Sequence, residues 1–344
     1  MPANRYVRQE ILPGVGPEGQ ARLAAARVLI VGCGGLGVPV AIYLTGAGIG
    51  ELVLVDGDNV HPSNLHRQVV FHHEDRGNKA RLLAHRCSQL NPEPRVRAHE
   101  SYLDTSNVRR LVEEADLVLD CTDDAATKHL LADACYLLRT PLVYAAAQRF
   151  TGYLALFPHR GEGPIGLRDL YPEPDPTLPD CATTGVLGTA VGTVGLLQAN
   201  AALCFLLGIG NPPVNELLTF DALTNRQHRL RIRKTRTAPP PPPWRDKATS
   251  RAELETDLAD PAAYDAVFSL LSAAREPELP AGTERLGHRN PLGQCLARMQ
   301  PGGRYLLYCQ SGQRSLVLAA QLRKANPELA VFSLRGGRPQ NTAP

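Results

Sequence analysis

Residues 27–56 read RVLIVGCGGLGVPVAIYLTGAGIGELVLVD, and this stretch determines the predicted fold class. The run Arg27–Val31 is short and rich in branched apolar side chains, which is typical of a buried strand. The pattern Gly32-x-Gly34-x-x-Gly37 follows at once, and the apolar residues after it predict a helix. A second strand then ends at Asp56. Because such a turn brings backbone N–H groups to the start of a helix, the stretch predicts a phosphate-binding β-α-β unit.

Strand and helix patterns continue to alternate downstream. Lys79–Leu90 and Ala125–Leu138 are helix-like, whereas Leu117–Asp120 and Pro141–Tyr144 are typical of buried strands. This order predicts an α/β fold with a doubly wound, Rossmann-like and mainly parallel sheet joined by right-handed crossovers.

A proline run, Pro239–Pro243, divides the chain, because consecutive prolines form an extended and semi-rigid linker. We therefore assign residues 1–236 to the first α/β domain and residues 237–250 to the linker. Residues 251–340 are enough for a second, small α/β domain.

The composition argues against nucleic acid or a membrane as the main partner. The formal net charge is only +3 over 344 residues, and the N-terminus lacks the apolar core of a signal sequence. Residues 182–215 carry no charge, but glycines and polar side chains interrupt them, so we predict a buried helix pair there rather than a membrane span. The cysteines form no C-x-x-C pair, which is typical of free thiols in a reducing cytoplasm.

The residues after the glycine loop bear on the kind of nucleotide. Asp56 is placed to bind ribose hydroxyls, so an oxidoreductase that uses NAD or FAD is one interpretation. Cations suit a triphosphate, however, and an acid after a later strand, Asp123, suits Mg²⁺. The combination favours ATP with Mg²⁺, because polar and cationic residues cluster at Asn64, Arg67, Gln68 and Lys79.

Several segments, taken in order, resemble the MoeB and ThiF adenylyltransferases, which are bacterial relatives of ubiquitin-activating enzymes. These segments are Arg5-Tyr6-x-Arg8-Gln9, the glycine loop, Asp56-x-Asp58, Ser63-Asn64-Leu65-x-Arg67-Gln68, Lys79 and Asp120-Cys121-Thr122-Asp123. The resemblance covers residues 5–233 and implies a sheet of the ubiquitin-activating type.

The resemblance implies that ATP adenylates the C-terminal Gly-Gly carboxylate of a ubiquitin-like sulfur-carrier protein. It also implies that Asp123 holds Mg²⁺, that Arg67 is catalytic, and that Arg8 reaches the ATP site of the partner subunit in a homodimer. The residues expected to bind ATP are Gly32, Gly34, Gly35, Gly37, Asp56, Asp58, Asn64, Arg67, Gln68, Lys79 and Asp123.

The chain departs from the family pattern in two ways. The segment before Lys79 is shorter than usual. MoeB-like proteins also usually bind a structural zinc through two C-x-x-C pairs, whereas here Ile165 and Arg168 stand near the first pair's place and residues 229–243 contain no cysteine. Such a site requires four thiolates, so we predict no zinc. A substitute metal cluster could be formed by four histidines, His61, His66, His72 and His73. We favour roles in the loop and beside the phosphates for them.

Cys181 is the first of two cysteines with predicted chemistry. It lies in Asp180–Gly185, ahead of an apolar stretch, and resembles the family's cysteine that accepts the acyl group or joins in sulfur transfer. A thiol near a helix N-terminus is more often the reactive thiolate, although a buried packing residue is the alternative. We interpret as packing residues Cys33, Cys87, Cys121, Cys135, Cys204 and Cys295.

Cys309 is the second cysteine with predicted chemistry. It follows a predicted strand, Tyr305–Tyr308, and opens the loop Cys309-Gln310-Ser311-Gly312-Gln313-Arg314-Ser315. The loop resembles the C-x-x-G-x-R-S active loop of rhodaneses, in which backbone N–H groups surround the sulfur at a helix N-terminus. The resemblance implies a persulfide on Cys309 and a supporting charge on Arg314. The domain is abbreviated, since Ala273–Pro277 lacks an aspartate that is usual in rhodaneses, and a degenerate docking domain is the alternative.

Together these features predict a cytoplasmic, homodimeric adenylyltransferase fused to a rhodanese-like sulfurtransferase. Persulfide sulfur on Cys309 would attack the acyl-adenylate, or a thioester on Cys181, and give a carrier thiocarboxylate for a molybdopterin, thiamine or thiolation pathway. The expected sulfur donor is thiosulfate or a cysteine desulfurase. Two alternatives stay open: a ubiquitin-like activating protein without sulfurtransferase activity, and an oxidoreductase.

Overall fold

A computed structural model describes residues 4–174, 185–236, 238–240, 242–243, 254–257, 260–272, 276–287, 291–309, 312–335 and 337. The chain divides into two compact units, Met1–Pro243 and Trp244–Pro344. The division falls at the end of the proline run.

The first unit is built on a sheet whose strands lie in the order β3-β2-β1-β4-β5-β6-β7-β8. The strands from β3 to β5 are parallel, as predicted. The last three, β6 to β8, extend the sheet in antiparallel fashion at one edge, which the sequence did not predict. In chain order they are β1 (Arg27–Val31), β2 (Glu51–Val55), β3 (Arg95–His99), β4 (Leu117–Asp120), β5 (Leu142–Gln148), β6 (Thr151–Phe157), β7 (Glu216–Asp221) and β8 (Arg226–Arg231).

The burial of each strand explains whether its sequence pattern revealed it. β1, β2 and β4 are central, and all but the first residue of β1 and β2 are buried, so they appear in the sequence as continuous apolar runs. Every residue of the edge strand β8 is exposed, and the other edge strand, β3, has no buried residue. Neither edge strand therefore carries an apolar signal.

The helices of the first unit flank this sheet. Within the described residues they are α1 (Val7–Glu10), α2 (Gly16–Ala25), α3 (Gly37–Gly46), α4 (Lys79–Leu90), α5 (Val108–Glu113), α6 (Ala125–Leu138) and α7 (Gly188–Leu207). α4 and α6 begin where predicted, because the side chains of Asn78 and Asp124 cap them by accepting hydrogen bonds from backbone N–H groups of the first turn.

The uncharged stretch 182–215 was predicted to be a helix pair, and this is wrong. Its described part forms one continuous helix of 20 residues, α7. Two of its glycines are packing positions: a Cβ on Gly188 would lie 2.5 Å from the carbonyl oxygen of His66, and one on Gly195 would lie 2.7 Å from that of Leu36. By length and composition α7 could span a membrane, but 50% of its most apolar window is buried. We therefore interpret it as a core helix, packed on α3, β5 and β6.

The second unit contains a smaller parallel sheet in the order β11-β10-β12-β13-β9. Its central strand, β12, is flanked by helix α9, which begins shortly after the strand ends. The elements are β9 (Glu255–Thr256), β10 (Ala266–Ser269), β11 (Thr283–Arg285), α8 (Pro291–Leu296), β12 (Arg304–Tyr308), α9 (Gln313–Ala325) and β13 (Ala330–Leu334). Cys309 therefore lies at the carboxyl end of the central strand.

Candidate active site

The register of the first sheet brings the predicted nucleotide residues to one edge. Val31, the last residue of β1, lies opposite Val55 of β2 and Asp120 of β4. The glycine loop, Asp56 and the segment after Asp120 therefore begin side by side at the carboxyl ends of three parallel strands. Ligands of open α/β sheets bind at this edge.

Two glycines of the loop admit no side chain. Gly32 has a φ of +95°, and a Cβ there would lie 2.6 Å from the carbonyl oxygen of Cys121. A Cβ on Gly37 would lie 1.9 Å from the carbonyl oxygen of Gly32. These contacts bring the start of α3 tightly against the end of β1, which is how backbone N–H groups become available to phosphate.

The other two glycines of the loop face a polar segment and α7. A Cβ on Gly35 would lie 2.6 Å from Val191 and 3.4 Å from Cγ of Arg67, and one on Gly34 would lie 3.4 Å from the amide nitrogen of Gln68. The structure therefore places Arg67 and Gln68 directly over the loop, as a site for phosphates requires.

Asp56 holds the loop in shape. One of its carboxylate oxygens accepts a hydrogen bond from the N–H of Cys33 (2.7 Å), and the other accepts from the N–H of Asp58 (2.8 Å). Burial raises the pKa of Asp56 to about 6, and the nearby Lys79 ammonium acts in the opposite direction. The shape of the glycine loop therefore depends on whether the Asp56 carboxyl group is ionised.

Lys79 is a buried cation at the same edge. Its ammonium lies 3.0 Å from the carboxylate of Asp58, which also accepts a hydrogen bond from the hydroxyl of Tyr102. Burial alone would lower the pKa of Lys79, but Asp58, Asp56 and Asp123 together raise it above its usual range. The ammonium therefore stays charged. No sequence signal pointed to Tyr102.

Asn64 and Arg67 form one unit. The guanidinium of Arg67 donates to the side-chain oxygen of Asn64 (2.9 Å) and lies 3.2 Å from a ring nitrogen of His66. Gln68 is 3% exposed, and among the described residues its side-chain oxygen has no hydrogen-bond partner. An acceptor that is buried beside the loop fits a site that a ligand completes.

Three histidines of the neighbouring loop contact the loop itself or α4. A ring nitrogen of His61 lies 2.7 Å from the hydroxyl of Ser63, and one of His66 lies 3.1 Å from the Ser63 carbonyl oxygen. His72 contacts Arg86. For His61, His66 and His72 these contacts fit a role in the loop, and a role beside phosphate stays a prediction.

Asp123 and Arg8 are both exposed, but in different places. Asp123 follows β4 at the nucleotide edge, and its charge acts on Lys79. Arg8 lies on α1, whose Gln9 donates to the carbonyl of Ala47 at the far end of α3. Because α3 is 10 residues long, α1 is anchored roughly 15 Å along the helix from the glycine loop. The structure does not bring Arg8 to the loop of its own chain.

A buried ion pair behind the site was not predicted. Asp120 is fully buried, with the Lys128 ammonium 3.2 Å away, and Lys128 also donates to the carbonyl of Ala145 (2.7 Å). The side chain of Gln198, on α7, donates to the carbonyl oxygens of Asp120 and Val143, both at 2.9 Å. These contacts fix the end of β4, and therefore the start of the segment that carries Asp123.

Cys309 in the second unit is 2% exposed and lies between a strand end and the start of α9. Its sulfur accepts a hydrogen bond from the Ser315 hydroxyl at 3.5 Å, and Ser315 is 2.8 Å from the Ser333 hydroxyl. The Ser333 hydroxyl donates to the carbonyl oxygen of Gly312 at 3.1 Å, and the Ser315 hydroxyl lies 3.0 Å from the same oxygen. Neither serine was predicted as a site residue.

Glu276, which the sequence placed in an incomplete rhodanese motif, is 1% exposed. Its carboxylate accepts hydrogen bonds from the hydroxyls of Ser269 (2.6 Å) and Tyr308 (3.0 Å), and burial raises the pKa of Tyr308 to about 12. Glu276 thus connects the ends of β10 and β12, and Cys309 directly follows β12.

Two of the predicted catalytic residues cannot be placed in the site. Cys181 and the side chain of Arg314 lie outside the described residues. The cysteines interpreted as packing residues are buried, except for Cys204, which is partly exposed. Burial raises the pKa of these thiols, to about 11 for Cys87 and about 12 for Cys295.

Known proteins share this fold and these segments. The model of the ThiF family matches residues 6–240. The sulfur carrier protein adenylyltransferase of Thermus thermophilus is 45% identical over 69% of this chain and 89% of its own. The probable adenylyltransferase/sulfurtransferase MoeZ of Mycobacterium tuberculosis is 35% identical over 97% of this chain and 91% of its own.

A solved structure shares the fold. The crystal structure of E. coli MccB with MccA-N7isoASN superposes with a TM-score of 0.60 over 68% of this chain and 74% of that chain. The identity of 22% makes this a likeness of fold alone.

Proposed function

Because this chain belongs to the ThiF family, we propose that it uses ATP to adenylate the C-terminal carboxylate of a small ubiquitin-like sulfur-carrier protein, and that it then transfers sulfur to that carboxyl group. The observation that carries the proposal is the convergence of Lys79, Asp56 and Arg67 on the glycine loop. The names of the similar proteins from Thermus thermophilus and Mycobacterium tuberculosis support both activities.

The adenylation step needs positioning and charge neutralisation. A carboxylate oxygen of the carrier attacks the α-phosphorus of ATP, the bond from that phosphorus to the bridging oxygen breaks, and pyrophosphate leaves with the bonding electron pair. Lys79 and Arg67 would neutralise the negative charge that accumulates on the phosphate oxygens. Mg²⁺, which Asp123 would hold, supplies further charge neutralisation when bound.

We propose a homodimer because α1, which carries Arg8, is anchored at the end of α3 that lies away from its own glycine loop. Three apolar side chains on and just after α1 are exposed: Val7 by 48%, Ile11 by 67% and Leu12 by 52%. An exposed apolar group of this kind, beside a cation that is far from its own site, suits a contact with a second subunit. Arg8 would then act on the ATP of its partner.

Sulfur transfer would use Cys309. The Cys309 thiolate attacks the outer sulfur of the donor and becomes a persulfide, while sulfite leaves from thiosulfate, or the cysteine thiolate leaves from a cysteine desulfurase persulfide. The terminal sulfur of the Cys309 persulfide attacks the acyl carbon, and AMP leaves. A second thiol, for which Cys181 is our candidate, then attacks the Cys309 sulfur. This step releases the thiocarboxylate and leaves a disulfide that an external thiol reduces. We place these reactions in the cytoplasm, because the cysteines that the structure describes are free thiols.

The test is thiocarboxylate formation. Purified full-length protein, ATP, Mg²⁺, thiosulfate and a carrier that ends in Gly-Gly should yield a carrier in which one oxygen is replaced by sulfur, as mass spectrometry detects. Cys309→Ala should lose this product and keep adenylation. Cys204→Ala, a partly exposed thiol of the first unit, is the matched control and should keep both. NAD binding by the wild type without any adenylation would favour the oxidoreductase instead.

A further inference from the structure

Two segments of the first unit that are far apart in the chain are joined at Asp169, which lies in a 3₁₀ turn, Leu167–Asp169. Asp169 and Thr235 are 66 residues apart, yet one carboxylate oxygen accepts hydrogen bonds from the N–H groups of Thr235 (2.8 Å) and Arg236 (3.0 Å). The other oxygen accepts from the N–H of Gly166 (3.0 Å). The Asp169 side chain is only 3% exposed. A single carboxylate therefore satisfies backbone groups of both segments.

Cationic side chains complete this junction and attach it to α6. Arg168 makes a bidentate pair with Asp133 of α6, at 2.7 and 2.9 Å. The Lys234 ammonium donates to the carbonyl of Pro164 and lies 5.2 Å from the centre of the Tyr136 ring, also on α6. We call this set of contacts the Asp169 clamp.

The clamp occupies the places where the family resemblance implies a structural zinc, and its donors do not fit that metal. Zinc takes thiolate or neutral imidazole ligands in tetrahedral sites, whereas the side chains that meet here include the cations of Arg168, Lys234 and Arg236. The carboxylates of Asp133 and Asp169 already accept charged or backbone hydrogen bonds. Among the described residues, no group of three or more His, Cys, Asp or Glu side chains could hold a metal ion.

Both clamped segments lead to a sulfur-handling cysteine. The segment that contains Asp169 runs on toward Cys181, twelve residues later, and the segment that contains Thr235 runs on into the proline linker and the unit that carries Cys309. Ion pairs and hydrogen bonds thus hold the starting points of both segments on the same helix.

We propose that Asp169 is a positioning residue for sulfur transfer: the Asp169 clamp replaces a structural zinc and fixes, without metal, the roots of the two segments that deliver Cys181 and Cys309. The proposal rests on the proposed function for its catalytic consequence. Its structural part, a metal-free junction held by one carboxylate, stands apart from that function and can be measured separately.

The structural test uses the full-length protein. Elemental analysis of the purified wild type should find far less than one zinc per chain, and a strong chelator should leave its thermal unfolding unchanged. Asp169→Asn keeps the shape but removes the charge. In hydrogen exchange measured by mass spectrometry, this variant should lose amide protection in the peptides that contain Gly166 and residues 235–236. Asp116→Asn is the matched control, because the Asp116 carboxylate also accepts a backbone hydrogen bond, from Arg27 (2.8 Å), but at the start of β1 and outside the clamp.

The catalytic test compares two activities of the same variant. Asp169→Asn should keep carrier-dependent ATP–pyrophosphate exchange within about twofold and slow thiocarboxylate formation by about tenfold or more, because small displacements of reacting groups cost this much. Asp116→Asn should change neither activity.

Three results would overturn the proposal: stoichiometric zinc in the wild type, unchanged amide protection in Asp169→Asn, or an equal loss of exchange and of sulfur transfer. A wild type with no carrier-dependent exchange would instead refute the proposed function, and the metal content and amide protection would still decide whether the clamp exists.

Discussion

The ammonium of Lys79 lies 3.0 Å from the carboxylate of Asp58, and its side chain is only 7% exposed, whereas Asp58 is 41% exposed. A buried cation therefore pairs with a carboxylate that opens toward solvent at the nucleotide edge of the sheet. Because the surrounding carboxylates raise the pKa of Lys79, the charge persists over the whole physiological pH range. The account of adenylation depends on this charge reaching phosphate.

Replacing Lys79 should therefore abolish most adenylation. Lys79→Met keeps much of the side-chain volume but removes the charge, and we expect kcat/KM for ATP–pyrophosphate exchange to fall by about 10²–10³-fold, since preorganised charges in such sites have effects of this size. Arg81→Met is the control on the same helix. Arg81 is 58% exposed and pairs only loosely with Glu100, so its loss should leave exchange unchanged.

Mixing two inactive variants tests whether Arg8 acts across subunits. Arg8→Ala and Lys79→Met should each be inactive alone. After subunit exchange, half of the dimers contain one chain of each kind, and one of their two sites has both residues. About a quarter of the wild-type exchange activity should then return. If Arg8 acts within its own chain, no activity returns.

Two glycines of α3 provide a matched pair for the loop geometry. A Cβ on Gly37 would lie 1.9 Å from a backbone oxygen, whereas one on Gly46 would meet nothing within 4 Å. Gly37→Ala should lower the midpoint of thermal unfolding and abolish ATP binding, as calorimetry would measure. Gly46→Ala should be neutral or stabilise the protein by up to about 1 kcal/mol, because alanine favours a helix. Equal effects would contradict the packing at Gly37.

Because of Asp56, we expect stability and activity to change with pH in opposite directions. Its pKa is about 6 in the folded chain and 3.8 ordinarily, so the native state binds the proton more tightly than the unfolded state. The contribution of Asp56 to the free energy of unfolding therefore falls as pH rises from about 4 to about 6. The carboxylate is the form that holds the loop, so kcat/KM for ATP should fall as pH drops below about 6.

Asp56→Asn is the variant that checks this assignment. It should bind ATP more weakly at every pH, and its profile should lack the decline near pH 6. A decline that persists unchanged in Asp56→Asn would show that another group titrates.

Ser315 is expected to make Cys309 more reactive. Its hydroxyl lies 3.5 Å from the Cys309 sulfur, where it can stabilise the charge that the sulfur carries during nucleophilic attack. Ser315→Ala should slow alkylation of Cys309 by iodoacetamide at neutral pH by about threefold to tenfold. Ser269→Ala is the control, because Ser269 binds Glu276 instead of sulfur. That variant should lower thermal stability yet alkylate at the wild-type rate. Equal rates in all three proteins would contradict the role of Ser315.

Much of the nucleotide edge could be predicted because its residues follow strands directly. Asp56 and the glycine loop are adjacent in sequence to buried apolar runs, and the register of parallel strands then brings them together. Lys79 could be placed because Asn78 caps its helix at a recognisable start.

The residues that were missed are single side chains supplied by distant elements. Lys128 has the appearance of an exposed helix residue, and Gln198 that of a polar interruption in an apolar helix, so nothing local reveals that both fix β4. Tyr102 belongs to no motif. The clamp at Asp169 could not be foreseen either, because hydrogen bonds to the backbone of Thr235 and Arg236 leave no pattern of residue types.

Carrier-dependent ATP–pyrophosphate exchange tests the central claim most directly. The wild type should exchange labelled pyrophosphate into ATP when a ubiquitin-like carrier that ends in Gly-Gly is present. It should not do so with the same carrier lacking its last glycine, and Lys79→Met should fail with both. Absence of exchange with every Gly-Gly carrier tested, or exchange that does not depend on the carrier terminus, would contradict the account.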